Sequence, residues 1–378
     1  MPDDEKRVLT INPGSTSTKF GVFRRNCAEW GSVIDHPDDE LDRFRGMSAL
    51  AQLEYRAAPM AKALQEAGYD VAQFAAVAGR GGLLPRMECG TYVVDSVMVE
   101  ELRLARRGDH ACNLGAVLAL KFARAAGVKA YIVDPVTVDE WQDCARFSGL
   151  PMIARSPIGH ALNTKAVARR FANETGRNYA DLRLVIVHMG SGITVSAHRD
   201  GRMIDNNTPQ EGPFGPDRTG TLPVQELIKL CFSGTYNAKQ LDRMVFGEGG
   251  LFAYLGTRNL REVECRMDAG DAEARVVLDA MIYQIAKEAG AMAAVLEGKI
   301  DALLLTGGMA HSERLVGSLR AYLGWIAPIT VYPGEDELRA LADGVFRVLD
   351  GIEEPKKMQV EAAVTGDGKR KGLVIGLE

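Results

Sequence analysis

The chain has 378 residues, 46% of them hydrophobic and 25% charged, with 45 Lys and Arg against 50 Asp and Glu for a net charge of −5. At roughly 150 residues per domain this length calls for two domains, and the composition is that of a folded soluble protein. Without a long block of one charge or a window of about 18 apolar residues, the usual signals for nucleic-acid binding, lipid binding and membrane insertion are missing. The six cysteines are scattered and form no CxxC pair, and the acidic start MPDDEKRVLTINPG has no apolar signal core, so a cytoplasmic protein is expected.

In chain order, residues 7–23 (RVLTINPGSTSTKFGVF) read as a strand at 8–11, a turn rich in Pro, Gly, Ser and Thr, and a second strand at 19–23. Helical spacing follows over 47–68, a strand over 70–79, a helix over 113–127, a strand over 129–135 and a helix over 160–176. Residues 182–201 (LRLVIVHMGSGITVSAHRDG) repeat the first layout: a β-branched strand, a glycine turn and an alternating strand. Setting Asn12 on His188 places Gly14 on Gly190, Ser15 on Ser191 and Thr18 on Thr194, which suggests a duplicated core. A helix over 271–298, a strand running into Gly307-Gly308 and a strand over 328–334 complete an α/β chain. After Ile352 the periodicity fades, and residues 353–378 read as a loosely attached tail.

The turn NPGSTSTK (12–19) gathers four hydroxyls and a lysine around Pro13-Gly14. Glycine lets backbone N–H groups approach an anion and the hydroxyls add donors, so Asn12, Gly14, Ser15, Thr16, Ser17 and Thr18 are candidate phosphate ligands. A plain polar β-turn favours the same residues. The echo at His188, Gly190, Ser191 and Gly192, with Gly307 and Gly308, favours nucleotide phosphate. GxxxxGK[ST] is absent, and Gly190-Ser191-Gly192 feeds a strand, so neither a P-loop nor a Rossmann site is expected.

Two hairpin phosphate turns, a duplicated β-rich core and a late strand ending in Gly-Gly resemble the acetate and sugar kinase, heat-shock chaperone and actin superfamily. Within it the chain is similar to the butyrate kinases of the acetokinase family. The similarity is carried in order by INPGSTSTKFGVF, GRGGLLPRMECGTYVV (79–94), HACNLGA (110–116), VDPVTVDEW (133–141), HALNTKAVARR (160–170), EGPFGPDRTGTLPV (211–224), GKIDALLLTGGMAHS (298–312) and APITVYPGEDELRALADG (327–344). Ser191 stands where a glycine is common in that turn, and the loop at 206–223 varies.

The resemblance implies an α/β fold of two actin-like, ribonuclease H-like domains of mixed sheet flanked by helices. Their expected bounds are 1–155 plus about 338–352 for the N-terminal domain and 156–337 for the C-terminal, nucleotide-binding one. It implies Mg²⁺-dependent transfer from ATP to a short-chain carboxylate, giving an acyl phosphate, in a protein expected to be a homo-oligomer. Arg80, between glycines after a buried strand, becomes the carboxylate or phosphoryl clamp, and Arg218 the second charge on the phosphoryl, though either could be an ordinary solvated or turn arginine. Asp134 would orient an arginine where an Asx turn is the plainer reading, and His160 joins these as a catalytic residue. His188 and His110 would polarise phosphoryl or line the nucleotide site, while His36 and His198 are expected at the surface. Glu337, then Glu335, are the metal candidates, in a run that otherwise starts a helix. Acetate, propionate or branched acids are alternative substrates. A sugar kinase, with Asp134 activating a hydroxyl, or a non-catalytic actin-like ATPase, lacking a use for both arginines, are alternatives of other classes.

Overall fold

The glycine-bearing hairpin that opens the sequence also opens the fold. In the computed structural model, which describes residues 5–25 and 27–359, β1 (Arg7–Pro13), β2 (Ser17–Arg24) and β3 (Cys27–Asp35) form an antiparallel meander. To the other side of β1 lies β4 (Phe74–Gly79), parallel to it, then β6 (Ala130–Val133), with β5 (Thr91–Val93) antiparallel at the edge. Alternate residues of the hairpin strands, Leu9 and Ile11 with Phe20 and Val22, meet Ala57, Met60 and Leu64 of the helix Leu53–Glu66 and Leu118 of the helix Leu114–Ala126. The helix Glu337–Leu349 packs on β1 and β6. It lies close because residue 344 is glycine: a Cβ there would stand 2.5 Å from Val133 Cγ1.

These elements make up one unit, Met1–Asp139 with Asp336–Glu378; the second is Glu140–Glu335. Residues 140–155, read from sequence with the N-terminal domain, are bonded into the second unit. Gln142 N–H donates to the Ile204 carbonyl (3.0 Å), and Trp141 Nε1 donates to Asn206 Oδ1 (2.8 Å). The expected loose tail is attached over its first residues: Lys356 N–H donates to Thr91 O (2.8 Å), Val93 N–H donates to Lys356 O (2.9 Å), and Met358 is buried in the first core. A few backbone bonds and one apolar anchor need no periodic pattern, which is why the sequence did not announce them. The rest of the tail, residues 360–378, lies outside the described residues.

In the second unit a short hairpin, β7 (Phe147–Leu150) and β8 (Ile153–Ala154), precedes β9 (Leu184–Met189), β10 (Ile193–Arg199), β11 (Arg202–Asn206), β12 (Ala302–Gly307) and β13 (Ile329–Pro333). The sheet order is β11-β10-β9-β12-β13, antiparallel on one side of β9 and parallel on the other, so it repeats the order β3-β2-β1-β4-β6 of the first unit. Every residue of β9 and β12 is buried. Val185, Val187, Leu303 and Leu305 share a core with the helix Ala272–Val295, while Leu184, Ile186 and Leu304 share one with the helix Ala161–Glu174. A sheet covered on both faces produces the continuous apolar runs seen in the sequence.

The repeat is not ungapped. Asn12 pairs with Lys19 and Pro13 with Thr18, whereas His188 pairs with Thr194 and Met189 with Ile193. The second turn is therefore one residue shorter, and Thr194 is the counterpart of Lys19, not of Thr18. Among the described residues no helix is long and apolar enough to cross a membrane.

Candidate active site

In the first unit the candidate residues collect at the carboxyl ends of β1, β4 and β6. Asn12 is the penultimate residue of β1, and its Nδ2 donates to Glu337 Oε2. Arg80 directly follows β4; its N–H donates to the Ile11 carbonyl (2.9 Å), and its Nη1 pairs with Glu337 Oε1. Both partners are largely withdrawn from water, with side chains 9% and 17% exposed. The three glycines around Arg80 serve close packing: a Cβ on Gly79 would strike the Gly115 backbone, one on Gly81 the Pro135 ring, and one on Gly82 the Asn113 side chain. The acidic run divides its work. Asp336 caps the helix Glu337–Leu349 by accepting from Arg339 N–H (3.1 Å), and Glu337 holds Asn12 and Arg80.

Asp134 is fully buried; its Oδ1 accepts from Gly90 N–H (2.8 Å), and its own N–H donates back to the Gly90 carbonyl (3.1 Å). It sits at φ 38°, a left-handed conformation that costs a non-glycine residue about 1 to 2 kcal/mol.

Within the 12–19 turn, Ser15 and Thr16 are exposed, Gly14 and Ser17 half-buried, and Gly14 N–H donates to Ser17 O (2.7 Å). Thr18 is fully buried. Its Oγ1 accepts from Arg56 Nη1 (3.0 Å) and lies 2.8 Å from His36 Nε2. His36 is not at the surface as expected. It is buried beside Arg56, and desolvation, then that charge, push its pKa down to about 4. The Thr18 hydroxyl is thus engaged on two sides, by Arg56 and by the His36 ring. His198 is likewise buried, bonded to Tyr179 OH (2.6 Å) and Ser196 Oγ (2.8 Å), and burial holds its pKa well below normal. Both histidines complete buried hydroxyl networks, which single-sequence reading does not reveal.

His110 caps the turn before the helix Leu114–Ala126, its Nδ1 accepting from Cys112 N–H (3.2 Å). Burial raises the Cys112 thiol pKa to about 11 despite nearby Arg80, so this cysteine is no nucleophile at neutral pH.

In the second unit His160 and His188 stack with ring centroids 3.9 Å apart and planes at 17°. His160 Nδ1 lies 2.9 Å from Thr194 Oγ1, and His188 Nδ1 lies 2.8 Å from Asn163 Oδ1. Nε2 of the buried His188 faces Glu335 Oε1 at 3.1 Å, out of hydrogen-bond alignment and with no other partner among the described residues. Both atoms converge on Gly190, where a Cβ would come within 2.5 Å of Glu335 Oε1 and 3.0 Å of His188 Nε2. Ser191 is exposed at the tip of this turn. Of the two residues that fix the rings, Asn163 carries no signal in sequence beyond lying in a matched block, and Thr194 none beyond its place in the repeated layout.

Arg218 lies across Gly192, where any side chain would collide with its guanidinium. It sits 4.1 Å from the Phe246 ring centroid, and its Nε is 3.8 Å from Asp217 Oδ1. Burial lowers its pKa, with Asp217 only partly opposing, so the charge is held by an aromatic face and a distant carboxylate.

The two glycines after β12 differ. Gly307 has φ 92°, and a Cβ would run into the Met189 backbone, whereas a Cβ on Gly308 would meet nothing within 4 Å. Gly308→Val is therefore expected to fold with an unchanged melting temperature, while ATP affinity measured by calorimetry falls. Unchanged affinity would show that no nucleotide occupies the open space above this turn. Gly307→Ala is expected to unfold the protein.

A model of the acetokinase family matches residues 157–321. "Butyrate kinase 2" of Clostridium acetobutylicum is 45% identical over 353 residues, covering 93% of this chain and 99% of that protein. Among solved structures, an acetate kinase of Porphyromonas gingivalis has TM-score 0.75 at 18% identity, over 91% of this chain and all of that one. A propionate kinase of Francisella tularensis has TM-score 0.71 at 15% identity, over 90% and 98%. These structural likenesses carry the fold, an actin-like architecture of mixed sheets flanked by helices.

Proposed function

Because the chain belongs to the acetokinase family, we propose that it is a phosphotransferase that moves the terminal phosphoryl of ATP, reversibly, to the carboxyl group of butyrate or a related short-chain acid. The observation that supports it most is Arg218: a half-buried guanidinium backed by a glycine turn and an aromatic ring, with Asp217 at 3.8 Å as its one ion-pair partner among the described residues, is placed to meet developing negative charge. The acceptor is itself an anion and a nucleophile, so a strong general base is unnecessary, and the repulsion of two anions is the main barrier to offset.

In this reading Arg80 receives the carboxylate or the phosphoryl, and Glu337 with Asn12 aims its guanidinium. Arg218 offsets charge on the phosphoryl in flight, and His160 and His188 border it. Ser15, Thr16 and Ser17 offer donors to nucleotide phosphate, and Asp134 supports the loop at Gly90. A fully buried Asp134 is poorly suited to deprotonating a sugar hydroxyl, which weighs against the sugar kinase reading.

Glu335 and Glu337 carry the hard oxygen donors that Mg²⁺ takes, usually through one or two carboxylates plus substrate phosphates. Glu337 shares its oxygens with Asn12 and Arg80, and Glu335 faces His188; each is by itself a candidate to hold the ion. When bound, the ion offsets charge on the nucleotide phosphates.

The test is to incubate the protein with ATP, Mg²⁺ and single acids from acetate to hexanoate, trapping acyl phosphate with hydroxylamine. Hydroxamate from butyrate and isobutyrate is expected, with kcat/KM for acetate much lower, since each methylene in an apolar pocket is worth about 1 to 3 kcal/mol. A maximum at acetate would move the substrate to the two-carbon acid. No hydroxamate with any acid, together with phosphorylation of a sugar, would sink the carboxylate reading.

A further inference from the structure

We infer that Arg56 is a positioning residue for the anion-binding turn of the first unit, shaping it from behind; the identity of the anion as ATP phosphate rests on the acyl kinase reading. Arg56 lies in the helix Leu53–Glu66 and is fully buried. Its Nη1 donates to the Gly14 carbonyl (2.9 Å), the Ser17 carbonyl (3.2 Å) and Thr18 Oγ1 (3.0 Å), and its Nη2 to the Ser15 carbonyl (3.0 Å). Nε donates to Gln52 Oε1 (2.9 Å), which fixes the plane of the guanidinium.

The direction of these bonds decides what the turn shows to its other side. In a planar trans peptide the carbonyl and the following N–H point opposite ways. With the carbonyls of Gly14 and Ser15 drawn in toward Arg56, the N–H groups of Ser15 and Thr16 point away from it, on the stretch of the turn that is exposed. Successive outward N–H groups form the concavity that binds oxyanions.

Charge acts in the same sense. Among the described residues Arg56 has no carboxylate within ion-pair distance, and its pKa is lowered chiefly by burial. A buried cation without a counter-ion costs several kcal/mol unless other groups solvate it. Here three carbonyls, a hydroxyl and an amide oxygen do so, none of them cancelling the charge. A net positive charge thus stands directly behind the turn, where it favours an anion in front. Neighbouring His36, kept neutral by burial and by Arg56, adds no charge of its own and shares Thr18 Oγ1 with Arg56.

A turn-stabilising arginine with no bearing on ligand would look similar, so the test must separate the two. Arg56→Lys keeps the charge but cannot span four acceptors, and Arg56→Gln removes the charge. Both are measured in the full chain for circular dichroism, melting temperature, ATP affinity by calorimetry with Mg²⁺, and steady-state kinetics. Folded variants are expected to show kcat/KM for ATP lowered by about 10- to 10²-fold, as for small misplacements of binding groups, with KM for the acid unchanged. A folded Arg56→Lys protein that binds ATP as the parent does overturns the inference. The parent protein supplies a second readout: saturating ATP should shift the His36 ring resonances through the Thr18 contact, and if neither variant folds, unmoved resonances overturn it. Should the parent make no acyl phosphate from any acid, the functional reading fails, while the ATP affinities of the variants still decide the role of Arg56.

Discussion

Arg218→Ala is expected to lower kcat by about 10² to 10³ while KM for ATP and for the acid change only a few-fold, as for loss of one charge partner to a transition state. The size follows from the surroundings. Arg218 has Asp217 only at 3.8 Å and rests on the face of Phe246, so its field is largely available. Arg218→Lys should recover part of the activity, because a point charge remains without the planar fork or the stacking. Phe246→Leu removes the aromatic support alone, worth about 0.5 to 1 kcal/mol, and should cost no more than about fivefold in kcat. Rapid-quench measurement of the transfer step locates the loss. If Arg218→Ala altered only KM for ATP, the side chain would belong to nucleotide binding.

What the sequence disclosed and what it hid follow from the range over which each signal acts. Strands buried on both faces, such as β9 and β12, announce themselves as unbroken apolar runs, and the helix Ala161–Glu174 shows its stripe. The helices Val224–Cys231 and Ala238–Val245 were not read: at eight residues each, with none buried, they offer too short a window for periodicity to speak. Of the site, the glycines and arginines were legible because close backbone approach and anion binding restrict residue type locally. The glycines around Arg80 were legible for the wrong reason, since they admit Gly115, Pro135 and Asn113 rather than a ligand. Arg56, Asn163 and the buried setting of His36 depend on contacts between segments, from Arg56 to the 14–18 turn and from Asn163 to His188, that no local pattern encodes.

Arg80→Ala should also cut kcat by about 10² to 10³, but by itself this result is ambiguous, because the substitution leaves Glu337 without its counter-charge. An uncompensated, largely buried carboxylate destabilises whatever fold surrounds it, and a damaged fold loses activity for a trivial reason. Glu337→Gln separates the two. The amide keeps the shape and can still accept from Asn12 Nδ2, so the double variant Arg80→Ala, Glu337→Gln should regain most of the melting temperature lost by Arg80→Ala. Its kcat should stay low, since the charge that meets the reacting anion is still missing. Glu337→Gln alone leaves Arg80 charged but unaimed, and should lower kcat less than Arg80→Ala while making the rate more dependent on Mg²⁺ concentration if Glu337 also holds the ion. Recovery of both melting temperature and kcat in the double variant would reduce Arg80 to a structural partner of Glu337 and remove it from the chemistry.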